Sequence, residues 1–202
     1  MKTLLVTGFE PFGGEKLNPS WECACNLPDE IMGVRVVKAQ LPVVWARINA
    51  EVNALLSQYK PDAALLLGQA GGRTAITIER VAINLRDSVK PDNAGVIKQN
   101  EPVVPNGPDG LFSTLPCYEM LSSLEASGIP AAFSYSAGPY LCNDAMYVAL
   151  YRASLDMPHL LAGFVHVPYM AGQSDTAFTM ELEVMQKGVR LCCEAVCKAL
   201  PR

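Results

Sequence analysis

Ser134-Tyr135-Ser136-Ala137-Gly138-Pro139-Tyr140-Leu141-Cys142-Asn143-Asp144 joins the end of an apolar run to the start of a helix-like one. Ala131 to Ser136 predicts a strand, Gly138-Pro139 a turn, and Asn143 to Leu155, with Met146, Leu150 and Tyr151, a helix. Working outward, the same alternation recurs. Upstream, Cys117 to Ser127 predicts a helix that Gly128 ends, and downstream Leu160 to Pro168 predicts a central strand. From Ser174 a long helix is expected, with Phe178, Leu182, Met185, Val189, Cys192 and Val196 forming its core-facing stripe.

Nearer the N-terminus, Lys2 to Thr7 predicts a strand ended by Gly8, and Asn18-Pro19-Ser20 an N-cap and first helical turn. Val34 to Leu41 is a valine-rich strand. Val44, Ile48, Val52, Leu55 and Tyr59 mark an amphipathic helix that Lys60-Pro61-Asp62 breaks. Ala63 to Leu67 has the unbroken apolar run of a strand buried on both faces. Thr77 to Leu85 reads as one strand carrying Glu79 and Arg80, a pair that would suit an exposed sheet edge. Arg86 to Gly110 has no period and suggests a lid or an assembly surface. Strands alternating with helices predict a parallel or mixed sheet covered on both faces, in a single domain spanning residues 1–202.

The composition limits the function classes. Half of the 202 residues are hydrophobic and 18% are charged, which excludes a disordered chain. A net charge of -4 gives no electrostatic reason for a nucleic-acid partner. No apolar run is long enough for a bilayer, and the first residues do not form a signal peptide, so a cytoplasmic protein is expected. Seven cysteines, an odd number, point to reduced thiols. Cys192, Cys193 and Cys197 share a helix without a nearby histidine, which favours packing over zinc.

Ligands of open α/β sheets lie beyond the carboxyl ends of the strands. The Phe9/Phe12 loop, the Gln69 loop, Glu79, Cys142 and His166 all fall there. A cysteine after a turn is, taken alone, more often a packed small residue. At a helix start, however, backbone N–H groups and the helix dipole favour the thiolate. A histidine ending a buried strand needs a partner, whereas His159 sits in a loop. Cysteine, imidazole and carboxylate together perform acyl transfer. The imidazole takes the thiol proton, the acid orients the imidazole, and helix-start N–H groups hold the oxyanion. Gly68-Gln69-Ala70-Gly71-Gly72-Arg73 is glycine-rich, but it lacks the lysine and spacing of a nucleotide loop.

Four stretches together resemble one family. They are Gly8-Phe9-Glu10-Pro11-Phe12-Gly13-Gly14 with Asn18-Pro19-Ser20, Gly71-Gly72-Arg73 through Ile78-Glu79-Arg80-Val81-Ala82-Ile83-Asn84, Ser136 to Asn143, and Phe164-Val165-His166-Val167-Pro168. In order and spacing they are similar to the signatures of the pyroglutamyl peptidase type I (pyrrolidone-carboxylate peptidase) family. The resemblance implies an α/β/α sandwich and a cysteine exopeptidase acting on peptides with an N-terminal pyroglutamate. It implies a Cys142–His166–Glu79 triad without metal or cofactor, and a homotetramer. By the same match Phe9 and Phe12 flank the substrate ring, Tyr140 and Leu141 add apolar wall, and Gln69 gives a polar contact. A neutral lactam suits such an apolar slot with few hydrogen bonds.

The chain departs from the family at Arg86-Asp87-Ser88-Val89-Lys90-Pro91-Asp92-Asn93, where Val89 takes the place of an arginine. Either Lys90 or Arg86 replaces that charge, or the site works without it. Two other readings remain at this level: a nucleoside phosphorylase-like transferase and a non-catalytic pyroglutamyl-binding module.

Overall fold

The computed structural model describes residues 1–201; Arg202, the last residue of the expected domain, lies outside them. In chain order the first elements are β1 (Thr3–Phe9), α1 (Pro19–Cys25), β2 (Glu30–Ile31), β3 (Val34–Leu41), α2 (Trp45–Tyr59), β4 (Ala63–Gln69), β5 (Ile76–Glu79) and β6 (Val81–Ile83). They are followed by β7 (Gly110–Phe112), α3 (Cys117–Ala126), β8 (Ala131–Ser134), α4 (Leu141–Leu155), β9 (Leu161–Val167), β10 (Tyr169–Met170), β11 (Thr179–Met180) and α5 (Leu182–Ala199). A seven-stranded sheet has the order β2-β3-β1-β4-β9-β5-β8. It is parallel except where β2 meets β3 and β5 meets β9. Helices α1, α3 and α5 cover one face through Ala24, Met120, Leu124, Val189 and Cys192; α2 and α4 cover the other through Ile48, Val52, Leu56 and Met146. The expected mixed, mostly parallel α/β sandwich is therefore the observed fold.

The strongest local patterns form the centre. Leu65, Leu66 and Leu67 of β4 are at most 2% exposed, as a strand covered on both faces requires. The α2 stripe buries Ile48, Val52 and Leu55, and Lys60 ends the helix in a left-handed conformation. Asn18 caps α1 by accepting a 3.1 Å hydrogen bond from the Ser20 N–H.

Several segments differ from the sequence reading. Gly8 does not end β1 but lies within it, because a Cβ there would come 2.5 Å from the Ser20 carbonyl oxygen; the missing side chain lets α1 approach the strand. Thr77–Leu85 is not one strand. The chain leaves the main sheet at Arg80, and β6 pairs with β7 in a separate ribbon. Nor is β5 an edge, since it lies between β9 and β8. The last helix starts at Leu182 rather than Ser174, and β11 pairs with β10, which leaves Phe178 40% exposed instead of core-facing.

Candidate active site

Helix α4 begins at Leu141, two residues before the expected start, so Cys142 is its second residue. The N-cap residue Tyr140 is extended and offers no side-chain cap, leaving the first-turn N–H groups open to an incoming anion. The next two residues fix the helix start. The Ile83 N–H donates to Asn143 Oδ1 at 2.9 Å, and Asn143 Nδ2 donates to the Ile83 carbonyl at 2.8 Å. Arg86 Nε donates to Asp144 Oδ2 at 2.6 Å.

Gly68 explains where the sulfur lies. A Cβ on Gly68 would come 2.9 Å from Cys142 Sγ and 2.7 Å from the Phe164 ring. Gly68 is the register partner of His166 on the adjacent strand, and residues in register share a face. The thiol therefore sits in the space that a side chain next to His166 would fill. Cys142 and His166 both line an open cavity of about 440 Å³.

Glu79 is at the carboxyl end of β5, but β5 runs against β9, so Glu79 pairs with Phe164 and lies deeper than His166. It reaches up diagonally to accept a 2.7 Å hydrogen bond from His166 Nδ1, with both side chains almost fully buried. With the proton on Nδ1, Nε2 is the nitrogen free to accept one. Glu79 is thus no surface charge partner of Arg80, whose guanidinium stacks over Tyr118 and Phe133.

Burial sets the protonation of the pair. It pushes the Cys142 thiol up to about 12, helped by the charge of Glu79 and opposed by Arg73. Burial also holds His166 below its ordinary value, although the Glu79 hydrogen bond and charge work the other way. For Glu79, burial alone would raise the carboxyl. The His166 hydrogen bond and charge, the Ser134 hydroxyl and the Arg73 charge more than offset it, so the group stays ionised. Both directions favour a neutral thiol and a neutral imidazole, against the thiolate that a helix start alone suggests.

A narrower slot of about 40 Å³ adjoins the thiol. Phe9, Phe12, Val43 and Leu141 form its apolar walls, with Tyr140 and Cys142 at its edge. Phe9 and Leu141 also belong to the core, at 2% and 1% exposure, so they serve packing and lining together. The Tyr140 hydroxyl donates to the Pro91 carbonyl at 2.9 Å, and its ring meets Trp45 edge-on. Gln69 Oε1 is buried at the slot without a hydrogen-bond partner.

Arg73 was not singled out by the sequence reading. It donates to Glu79 Oε1 and the Thr77 hydroxyl, and at 3.1 Å to the Ser136 carbonyl in the loop that leads to Cys142. Its sequence signals are its place in the glycine loop and in the family-like stretch that runs on to Glu79, neither of which gives it a role. Arg86 is held by Asp144 and lies over the Trp45 ring, so it does not replace the missing arginine. Val89 is 81% exposed, whereas Lys90 lines the cavity. Cys192 and Cys193 are core residues, as expected, and His159 is exposed. Among the described residues no group of three His, Cys, Asp or Glu side chains could hold a metal ion, and no helix is long and apolar enough to cross a membrane.

The family model for pyroglutamyl peptidase matches residues 2–199. The pyrrolidone-carboxylate peptidase of Thermococcus onnurineus is 44% identical over 198 residues, covering 97% of this chain and 99% of its own. That of Escherichia fergusonii is 49% identical over 175 residues, covering 86% of this chain and 81% of its own. The solved structure of Bacillus amyloliquefaciens pyroglutamyl peptidase I superposes with a TM-score of 0.94 at 36% identity, covering 98% of each chain. A variant of Pyrococcus furiosus pyrrolidone carboxyl peptidase gives 0.93 at 39% identity, covering 98% of this chain and all of that one. With a matched family model over nearly its whole length and relatives this similar, the chain belongs to the pyroglutamyl peptidase family of cysteine hydrolases.

Proposed function

We propose that this chain, acting as one domain over residues 1–202, is a cysteine exopeptidase that releases an N-terminal pyroglutamyl residue from peptides through a Cys142–His166–Glu79 triad. The observation that carries the mechanism is the buried His166–Glu79 hydrogen bond, facing the cavity that Cys142 also lines. As Sγ bonds to the pyroglutamyl carbonyl carbon, the thiol proton passes to Nε2 and the carbonyl π pair moves to oxygen. The N–H of Cys142 and its neighbours at the α4 start stabilise that oxyanion. Collapse breaks the C–N bond, and Nε2 gives its proton to the leaving amine. Water then attacks the thioester and passes a proton to Nε2. A second collapse frees pyroglutamic acid and returns the proton to sulfur.

The slot suits the acyl group. It has no carboxylate in its lining to pair with a charged α-amine, and its apolar walls fit a flat, compact ring. The unpartnered Gln69 Oε1 is an acceptor for the lactam N–H. A phosphorylase reading has less support, because the guanidinium of the glycine loop is committed to Glu79.

A fluorogenic pyroglutamyl amide tests this reading. Release of the fluorophore is expected, with loss of about 10³-fold or more in Cys142→Ala and after iodoacetamide. Turnover that survives Cys142→Ala would reject the triad. The matching prolyl amide, which lacks the ring carbonyl and carries a charged nitrogen, should be poorer by about 10²-fold or more. The family resemblance also implies a cytoplasmic homotetramer, and sedimentation of the purified chain measures its oligomeric state.

A further inference from the structure

The two cavities at Cys142 divide the substrate between them. The slot touches Cys142 but not His166, whereas the larger cavity is lined by both. In the reaction proposed above, on which this inference rests, the imidazole must reach the departing nitrogen. The larger cavity is therefore the leaving-group side, and the residue after pyroglutamate occupies it.

Its lining contains no carboxylate. The permanent cations are Arg73 and Lys90. Glu79 balances Arg73 from below, but Lys90 is in no ion pair among the described residues. Lys90 is exposed and lines both this cavity and the adjoining recess of about 310 Å³, where Glu15 is the only acidic lining residue. The cavity that holds the thiol is thus bordered by cations without a carboxylate, and Glu15 borders only the adjoining recess.

We propose that Lys90 is a specificity-determining residue on the leaving-group side. It favours substrates whose first residue after pyroglutamate is anionic, either through the free α-carboxylate of a pyroglutamyl dipeptide or through an acidic side chain. The ammonium and the substrate carboxylate attract across a partly solvated cavity, so the gain is modest and falls with salt.

The test compares kcat/KM for pyroglutamyl-alanine with pyroglutamyl-alanine amide, and for pyroglutamyl-glutamate amide with pyroglutamyl-lysine amide. Wild type should favour the anionic member of each pair by about 3- to 5-fold at low ionic strength, the scale of one exposed ion pair. Lys90→Gln should bring both ratios towards one, and Lys90→Glu should invert them. Raising the salt should compress the wild-type ratios whether or not either variant folds. Wild-type ratios of one, ratios that ignore salt, or ratios unchanged in a folded Lys90→Gln would each overturn the proposal. A neutral fluorogenic pyroglutamyl amide run alongside separates the two levels. If it is cleaved without any charge preference, only the role of Lys90 fails. If it is not cleaved, the proposed reaction itself fails.

Discussion

Two buried carboxylates, Glu79 and Asp144, each meet an arginine, yet they behave in opposite ways. Both side chains are fully buried. Glu79 is approached by Arg73, His166 and Ser134 and stays below its usual range, although burial is the largest single influence on it and acts upward. Asp144 has Arg86 alone, on Oδ2; each carboxylate leaves its other oxygen without a partner, and burial raises Asp144 to about 7 despite that arginine. Equal burial therefore does not fix the charge of a carboxylate. The number of donors does, and the chain concentrates them where an imidazolium must be stabilised.

The largest expected effect breaks the Glu79 side of this contrast. Glu79→Gln should lower kcat/KM by about 10³-fold, since an amide neither fixes the imidazole tautomer nor stabilises its charge. In wild type, the acid limb of the kcat/KM profile should lie below the ordinary imidazole value, because burial holds His166 down. In Glu79→Gln it should move lower still, because the carboxylate supports imidazole protonation. An unchanged limb would show that Glu79 does not act on His166.

A smaller effect is expected from Arg73→Met, which takes one donor from Glu79 and frees the Ser136 loop. Losing that charge-assisted hydrogen bond should weaken transition-state stabilisation by about 2 kcal/mol, or roughly 30-fold in kcat/KM, with partial rescue in Arg73→Lys. A loss confined to KM would mean that Arg73 only binds substrate.

The smallest effect on turnover should come from Asp144→Asn, whose consequence is in stability. The folded pKa of Asp144 lies above the unfolded value of about 3.9, so the folded chain holds the extra proton between the two. Its contribution is complete below pH about 4 and is lost as pH rises through about 7. Glu79 has the opposite sign: its contribution is present above its unfolded value and is lost as pH falls through its depressed folded value. Denaturant titrations should show wild type losing about 2–4 kcal/mol relative to Asp144→Asn between pH 4 and 8. Parallel curves would mean that Asp144 is ionised throughout.

Sequence pattern reached the frame of the fold because burial on both faces and helical spacing are written locally. Leu65–Leu67 and the α2 stripe need no distant partner to be recognised. The misread segments are those whose conformation depends on one. Thr77–Leu85 looks continuous, but its break at Arg80 is set by β7, about thirty residues later. The stretch before α5 extends because β10 waits for it. The family likeness pointed to Cys142, His166 and Glu79, yet the reversed direction of β5 and the depth of Glu79 belong to sheet order, which no local pattern encodes. Arg73 is different: Thr77 and Glu79 lie only 4 and 6 residues on, but the glycine loop before them has no period that would aim its side chain, and only Ser136 is remote, at 63 residues.

The clamp that Asn143 makes on Ile83 spans 60 residues, and the His166–Glu79 bond spans 87. Contacts this remote in the chain close late, after local helices and neighbouring strands have formed. During refolding from denaturant, helical dichroism should recover first and hydrolytic competence should trail it, so the enzyme's own turnover becomes a clock for the last stage of assembly.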